Sequence, residues 1–161
     1  MNEVMTLDTV DIYTDGACSC NPGPGGYGVV LKYGETVREL SGGFRLTTNN
    51  RMEIMAAIIG LATLKRPCRV TLYSDSRYLV DAMSKGWVRR WKANNWMRDK
   101  ENRAKNVDLW QKLLQAASPH QVTWQWVRGH AANQSNNRCD QLATAAARLD
   151  HLPVDEGFGG A

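Results

Sequence analysis

The stretch Asp11-Ile-Tyr-Thr-Asp-Gly-Ala-Cys-Ser-Cys-Asn-Pro-Gly-Pro-Gly-Gly-Tyr-Gly28 sets one carboxylate, Asp15, at the end of an apolar strand and follows it with turn chemistry. Val10 and Ile12 alternate with polar neighbours as a half-buried strand does, and Asn21 to Gly28 holds one Asn, two Pro and four Gly. A strand closing in Thr14-Asp15-Gly16 aims its acid outward. Gly16 lets the backbone bend or approach a ligand closely, so Asp15 can reach a metal. Taken alone, the Asp-Gly pair reads more readily as a helix-capping or turn aspartate. The remaining acids decide between the two readings.

Working outward, Tyr27–Tyr33 and Thr36–Leu46 read as two further strands joined by a turn at Tyr33-Gly-Glu35, which predicts an antiparallel meander. Thr47 to Asn50 offers N-caps for a helix whose apolar face runs through Met52, Ile54, Met55, Ile58, Ile59, Leu61 and Ala62, with Glu53 in its first turn. Arg69–Asp75 alternates as a fourth strand, again ending in a hydroxyl residue followed by Asp. A helix from about Ser76 to Gly86, another over Asn106–Ala117, a strict strand over Val122–Val127 and a last helix beginning within Gln134–Asn137 complete the pattern. Asp140 falls in the first turns of that last helix, and Leu149 is expected on its buried side. The order predicts an α/β fold: a five-stranded mixed sheet, part meander and part parallel, flanked by helices. Ligands bind such sheets beyond the carboxyl ends of the strands, where Asp15 and Asp75 stand.

At 161 residues the chain is expected to form one domain over residues 1–152, with a flexible tail over 153–161. No apolar run approaches the ~20 residues of a membrane span, and the start Met-Asn-Glu-Val-Met lacks a signal peptide's pattern, so a cytoplasmic protein is expected, and a monomer because no coiled-coil or apolar stripe is left over. Cys18, Cys20, Cys68 and Cys139 have neither disulfide-framework nor zinc-site spacing. Charge is unevenly spread. Between Lys85 and Lys105 eight basic residues face two acids, leaving the rest of the chain slightly acidic although the total is +4. Trp87, Trp91 and Trp96 are interleaved with these cations. The pair four apart shares a helical face, as packing residues do, while a basic helix-loop protrusion pinned by aromatics also suits a polyanion.

Asp15 and Asp75 after strands, with Glu53 and Asp140 early in helices, form an all-oxygen set suited to a hard divalent cation. Beside a basic, tryptophan-bearing segment, such a cluster points to phosphoryl chemistry on nucleic acid, with two metals at the attacking and leaving oxygens.

The ordered motifs Tyr13-Thr-Asp-Gly16, Asn21-Pro-Gly-Pro-Gly-Gly-Tyr-Gly28, Thr47-Thr-Asn-Asn-Arg-Met-Glu53, Ser74-Asp-Ser76, Asn106-Val-Asp-Leu-Trp110, Gly129-His-Ala131 and Asn136 to Asp140 together resemble bacterial type 1 ribonuclease H. The resemblance implies an endonuclease that cuts the RNA strand of RNA–DNA hybrids, leaving 3′-hydroxyl and 5′-phosphate ends. It implies Mg²⁺ as cofactor, with Mn²⁺ as a possible substitute, and no obligate protein partner. It also implies metal-binding roles for Asp15, Glu53, Asp75 and Asp140, and a mobile proton-handling role for His130. For the substrate it implies hydroxyl-reading contacts from Asn21, Asn49, Asn50 and the backbone at Cys18, and a DNA-phosphate pocket including Thr48 and Asn106. The hybrid's backbone would be gripped by Trp87, Arg89, Arg90, Trp91, Lys92 and Trp96. Such readers suit a protein that distinguishes RNA by its 2′-hydroxyl in a wide minor groove.

Three positions depart from the family pattern: Ala132 and Asn137 stand where Gly and Glu are usual, and Arg77 stands where a groove-contacting Gln is common. The competing classes are a non-catalytic hybrid-binding module, which would tolerate loss of a carboxylate, and a DNA-directed nuclease on the same fold.

Overall fold

The computed structural model describes residues 7–128 and 133–158. His130 and Ala132 lie outside these residues. Five strands form one sheet: β1 (Asp8–Cys18), β2 (Gly23–Tyr33), β3 (Thr36–Thr47), β4 (Cys68–Ser74) and β5 (Gln121–Trp126), in the order β3-β2-β1-β4-β5. β1, β2 and β3 make an antiparallel meander, while β4 runs parallel to both β1 and β5. Five helices accompany them: α1 (Asn49–Ala62), α2 (Arg77–Ser84), α3 (Trp87–Ala93), α4 (Val107–Ala117) and α5 (Gln134–Ala147).

The glycine-rich run is not the turn its composition predicts. From Gly23 onward it is already β2, and β1 continues past Asp15 to Cys18, pairing Asp15 with Gly28 and Cys18 with Gly25. The glycines are there for close approach. Successive strand residues face opposite sides of a sheet, and along β2 Val29 meets α1 while a Cβ at Gly28 would collide with the Cys139 carbonyl on α5. The two helices therefore clasp β1 and β2 from opposite faces. Between sheet and α1 lies the main core, built on Ile12, Val29, Ile54, Leu61, Val70, Leu72, Leu79, Leu109, Trp110 and Leu113.

β1 and β4 part company just before the acids. Their parallel pairing ends at Tyr13 and Tyr73, whose rings stack with centroids 4.6 Å apart. The Thr14 hydroxyl donates to the Tyr73 carbonyl at 3.0 Å and locks the two strand ends in register. Asp15 and Asp75 emerge immediately beyond, side by side at the carboxyl edge.

Two expectations near the C-terminus are corrected. Leu149 is 62% exposed, because α5 ends at Ala147 with Arg148 as its C-cap. The segment after Leu152 is held rather than frayed as far as residue 158. Arg45 N–H donates to the Pro153 carbonyl at 2.9 Å, and Asp155 is buried against Arg51, which α1 carries. A buried guanidinium needs hydrogen-bonded anionic partners. Arg51 has two: Asp155, bonded through Nε at 2.7 Å and Nη2 at 2.9 Å, and Asp108, bonded through Nη1 at 2.9 Å and Nη2 at 2.7 Å. The Thr47 hydroxyl donates to Asp155 at 2.7 Å. Burial raises the Asp108 carboxyl's pKa, but the Arg51 bonds outweigh it and hold the group below its usual range.

Candidate active site: a carboxylate cleft beside a basic protrusion

Asp15, Glu53 and Asp75 each bring a carboxylate oxygen to within 4.8 Å of the others. Asp140 lines the same cleft, about 430 Å³ in volume, whose walls also include Asn49, Asn50, Arg77, Arg128, Asn136 and Asn137. All four carboxylates singled out in the sequence thus converge, although two arrive from deeper in their helices than expected. Thr48 is the N-cap of α1, its hydroxyl accepting from Arg51 N–H at 3.2 Å, so Glu53 stands just past the first turn. Asn133 caps α5 through Ser135 and Asn136, which leaves Asp140 nearly two turns in.

What brings α1 onto β1 closely enough is Gly16. A Cβ there would stand 2.6 Å from the Glu53 backbone nitrogen, so only glycine lets the helix carry Glu53 beside Asp15. Asp75 is positioned from the other side: the Trp126 indole N–H donates to its backbone carbonyl at 3.1 Å, and Val127 N–H donates to Ser74 at 2.9 Å.

The cluster carries an electrostatic load. Burial, reinforced by Asp75, pushes the Asp15 carboxyl up to about 7, and burial with Asp15 and Asp75 raises Glu53 well above the ordinary carboxylate range. Glu53 Oε2 is buried with no hydrogen-bond partner. An unsatisfied acid oxygen inside a ring of acids is what a cation relieves. The donor set, all carboxylate oxygen with neither His nor Cys in the cluster among the described residues, fits a hard divalent cation.

The residues expected to meet substrate divide into groups. Asn49 and Asn50 are exposed on the cleft wall, and Asn49 N–H donates to Asn21 Oδ1 at 3.2 Å, which ties the loop after β1 to the start of α1. The Cys18 thiol turns toward the carbonyls of Cys20, Gly23 and Thr47. Asn106 lies within 3.4 Å of both Arg51 Nη1 and the Tyr78 hydroxyl.

In the basic segment Arg89, Arg90 and Lys92 point to solvent from α3, while the tryptophans grade from surface to core. Trp87 and Trp91 are half-buried with centroids 6.5 Å apart, and Trp91 meets the buried Trp110 edge-on at 6.2 Å. Trp96 is corrected from a substrate contact to a brace. It is only 9% exposed, its N–H bonds back to Trp91, and its carbonyl accepts from Ala104.

Sequence reading passed over Arg51, Asp108 and Trp126, which hold this scaffold. The first two stand in quoted motifs, but nothing local announces that residues far apart in the chain form one ion-pair network.

Comparison with known proteins agrees with this geometry. The family model for RNase H matches residues 8–148. Ribonuclease HI of Synechocystis sp. is 59% identical over 155 residues, covering 96% of this chain and 97% of that one. Ribonuclease H of Rippkaea orientalis is 63% identical over 147 residues, 91% and 90% of the two chains. Among solved structures, LC9-RNase H1, a type 1 RNase H with the type 2 active-site motif, superposes with a TM-score of 0.80 at 34% identity, over 90% of this chain and 74% of that one. With its four acids converging where the sheet's central strands end, and with these relatives matching nearly its whole length, the chain belongs to the ribonuclease H family of nucleases.

Proposed function

We propose that this chain hydrolyses the RNA strand of RNA–DNA hybrids in the carboxylate cleft, without sequence preference, leaving 3′-hydroxyl and 5′-phosphate ends. Asp15, Glu53, Asp75 and Asp140 hold two divalent cations, Mg²⁺ in the cell and Mn²⁺ as a substitute. The observation that carries this reading is the approach of three carboxylate oxygens to within 4.8 Å, one of them on a glutamate with a buried, unpartnered oxygen. Cations bound there supply Lewis acidity toward the attacking and leaving oxygens and neutralise developing charge.

The chain's own groups do the rest. Glu53 and Asp15, buried on α1 and β1, act as fixed anionic walls, and Asp75 and Asp140 close the ring. His130 takes up or delivers the proton that hydrolysis moves, an acid–base role suited to an imidazole. Asn21, Asn49, Asn50 and the backbone around Cys18 read the ribose hydroxyls, and Thr48 and Asn106 belong to the pocket for a DNA phosphate. Trp87, Arg89, Arg90, Trp91 and Lys92 grip the backbone without reading sequence. The same reading takes the protein as a cytoplasmic monomer of one domain over residues 1–152, with the segment up to residue 158 docked against it. No helix among the described residues is long and apolar enough to cross a membrane.

The test is cleavage of one uniformly labelled RNA–DNA hybrid, beside the matching RNA and DNA duplexes, by wild type and Asp15→Asn. Cutting confined to the hybrid's RNA strand, abolished by chelation and by the substitution, is the expected result. A wild type that binds the hybrid but cuts nothing under Mg²⁺ or Mn²⁺ would make the chain a binding module. Cutting of the DNA duplex would move it to the DNA-directed class.

A further inference from the structure

Arg77 occupies the first position of α2, just after the Ser76 N-cap. A cation there opposes the helix dipole, so local propensity does not account for it. Nor does an ion pair, since Arg77 forms none among the described residues even though Asp75 is two residues away. Its guanidinium carbon lies instead 3.9 Å over the Trp126 ring, and the side chain lines the cleft together with Arg128 and the carboxylates. The same indole that carries Arg77 on its face holds the Asp75 carbonyl by its edge, at 3.1 Å.

A guanidinium lying on an aromatic face keeps its in-plane N–H donors free, and it loses little further rotamer freedom when it binds. It offers donors only, in a fork that matches two oxygens of a phosphate. A cleft lined by four acids repels a polyanion, and a fixed cation at its lip offsets that repulsion.

We propose that Arg77, its guanidinium held over the Trp126 ring, is a positioned fork for a backbone phosphate of the substrate strand, set beside Asp75 by the shared tryptophan. The proposal rests on the reading of the cleft as the hybrid site and deepens it. Where a neutral amide would read a groove edge, this side chain grips the backbone, and its contribution is electrostatic. Trp126 thereby acts as a positioning residue for both groups.

The experiment is fluorescence anisotropy of a labelled RNA–DNA hybrid, in chelator so that nothing is cut, across about 50 to 200 mM salt, a range over which phosphate contacts dominate affinity. Wild type, Arg77→Gln and Arg77→Lys are compared, with circular dichroism confirming that each is folded. Arg77→Gln is expected to bind about fivefold more weakly at the low-salt end and to flatten the slope of log affinity against log salt by about one. Arg77→Lys is expected to keep the slope but bind more weakly, because an ammonium keeps the charge and loses the stacked fork. An unchanged slope in Arg77→Gln would overturn the proposal, as would an Arg77→Lys protein that binds like wild type. These outcomes are independent of the nuclease reading. That reading fails if metal-loaded wild type leaves the hybrid uncut, whatever the salt slopes show.

Discussion

The guanidinium of Arg51 and the carboxylate of Asp155, 104 residues apart in sequence, meet through two hydrogen bonds of 2.7 and 2.9 Å in a site from which water is almost wholly excluded. Arg51 sits two residues before Glu53, so this contact anchors the C-terminal segment to the helix that carries one of the two buried acids of the cleft.

Removing Asp155 strips the buried guanidinium of two of its four carboxylate hydrogen bonds and leaves Nε without its partner, with Asp108 the remaining counter-charge. Asp155→Ala is therefore expected to cost about 3 kcal/mol or more, seen as a lower urea midpoint at an unchanged m-value. Truncation after Leu152 should do the same. A truncated protein as stable as the full chain would show that Asp108 alone satisfies Arg51.

The raised pKa values of Asp15, about 7, and of Glu53 set a pH dependence with a definite sign. Below the unfolded carboxylate pKa both states hold these protons. As pH rises from there through the folded values, the unfolded chain has released protons that the native one retains, so the chelated protein loses stability across roughly pH 4 to 7. A divalent cation should remove most of that loss by replacing the protons. Melting temperatures at pH 5 and pH 8, with chelator and with Mg²⁺, check this. Asp15→Asn should be less pH-sensitive in chelator than wild type. A chelated protein more stable at pH 8 than at pH 5 would contradict the electrostatic account of the cleft.

Gly16→Ala tests the close approach of β1 to α1. Its Cβ would stand 2.6 Å from Glu53 N and 2.8 Å from Met52 Cβ, so the helix must retreat. Overpacking of this kind costs about 1–3 kcal/mol. Because the retreat moves Glu53 away from Asp15, divalent-cation affinity measured by calorimetry should fall with it. Loss of stability with unchanged metal affinity would mean that the strain is absorbed elsewhere.

Much of this molecule is legible in one dimension because its signals are periodic. Alternation in β4 and β5, the apolar stripe of α4 and the hydroxyl-Asp pairs Thr14-Asp15 and Ser74-Asp75 each report a local rule, and together they locate Asp15 and Asp75 where the pairing of β1 with β4 ends. The errors share a cause. Gly23–Gly28 has turn composition, yet it is strand, with α5 lying close on Gly26 and Gly28. Trp96 sits among cations, yet it is buried because its chain folds back onto Trp91. The tail has few apolar residues, yet it is held by one buried ion pair.

By itself the sequence determined the element order, the mixed sheet and the identity of the four acids, since periodicity and chain order are properties of neighbours along the chain. Only the tertiary structure decided how near Glu53 comes to Asp15, that Arg51 binds Asp108 and Asp155 at once, and that Trp126 stands between Arg77 and Asp75. Those facts are distances between residues remote in sequence. They are set by which side chains the packed helices admit, through a missing Cβ at Gly16 or a ring's face and edge, and no local pattern encodes them.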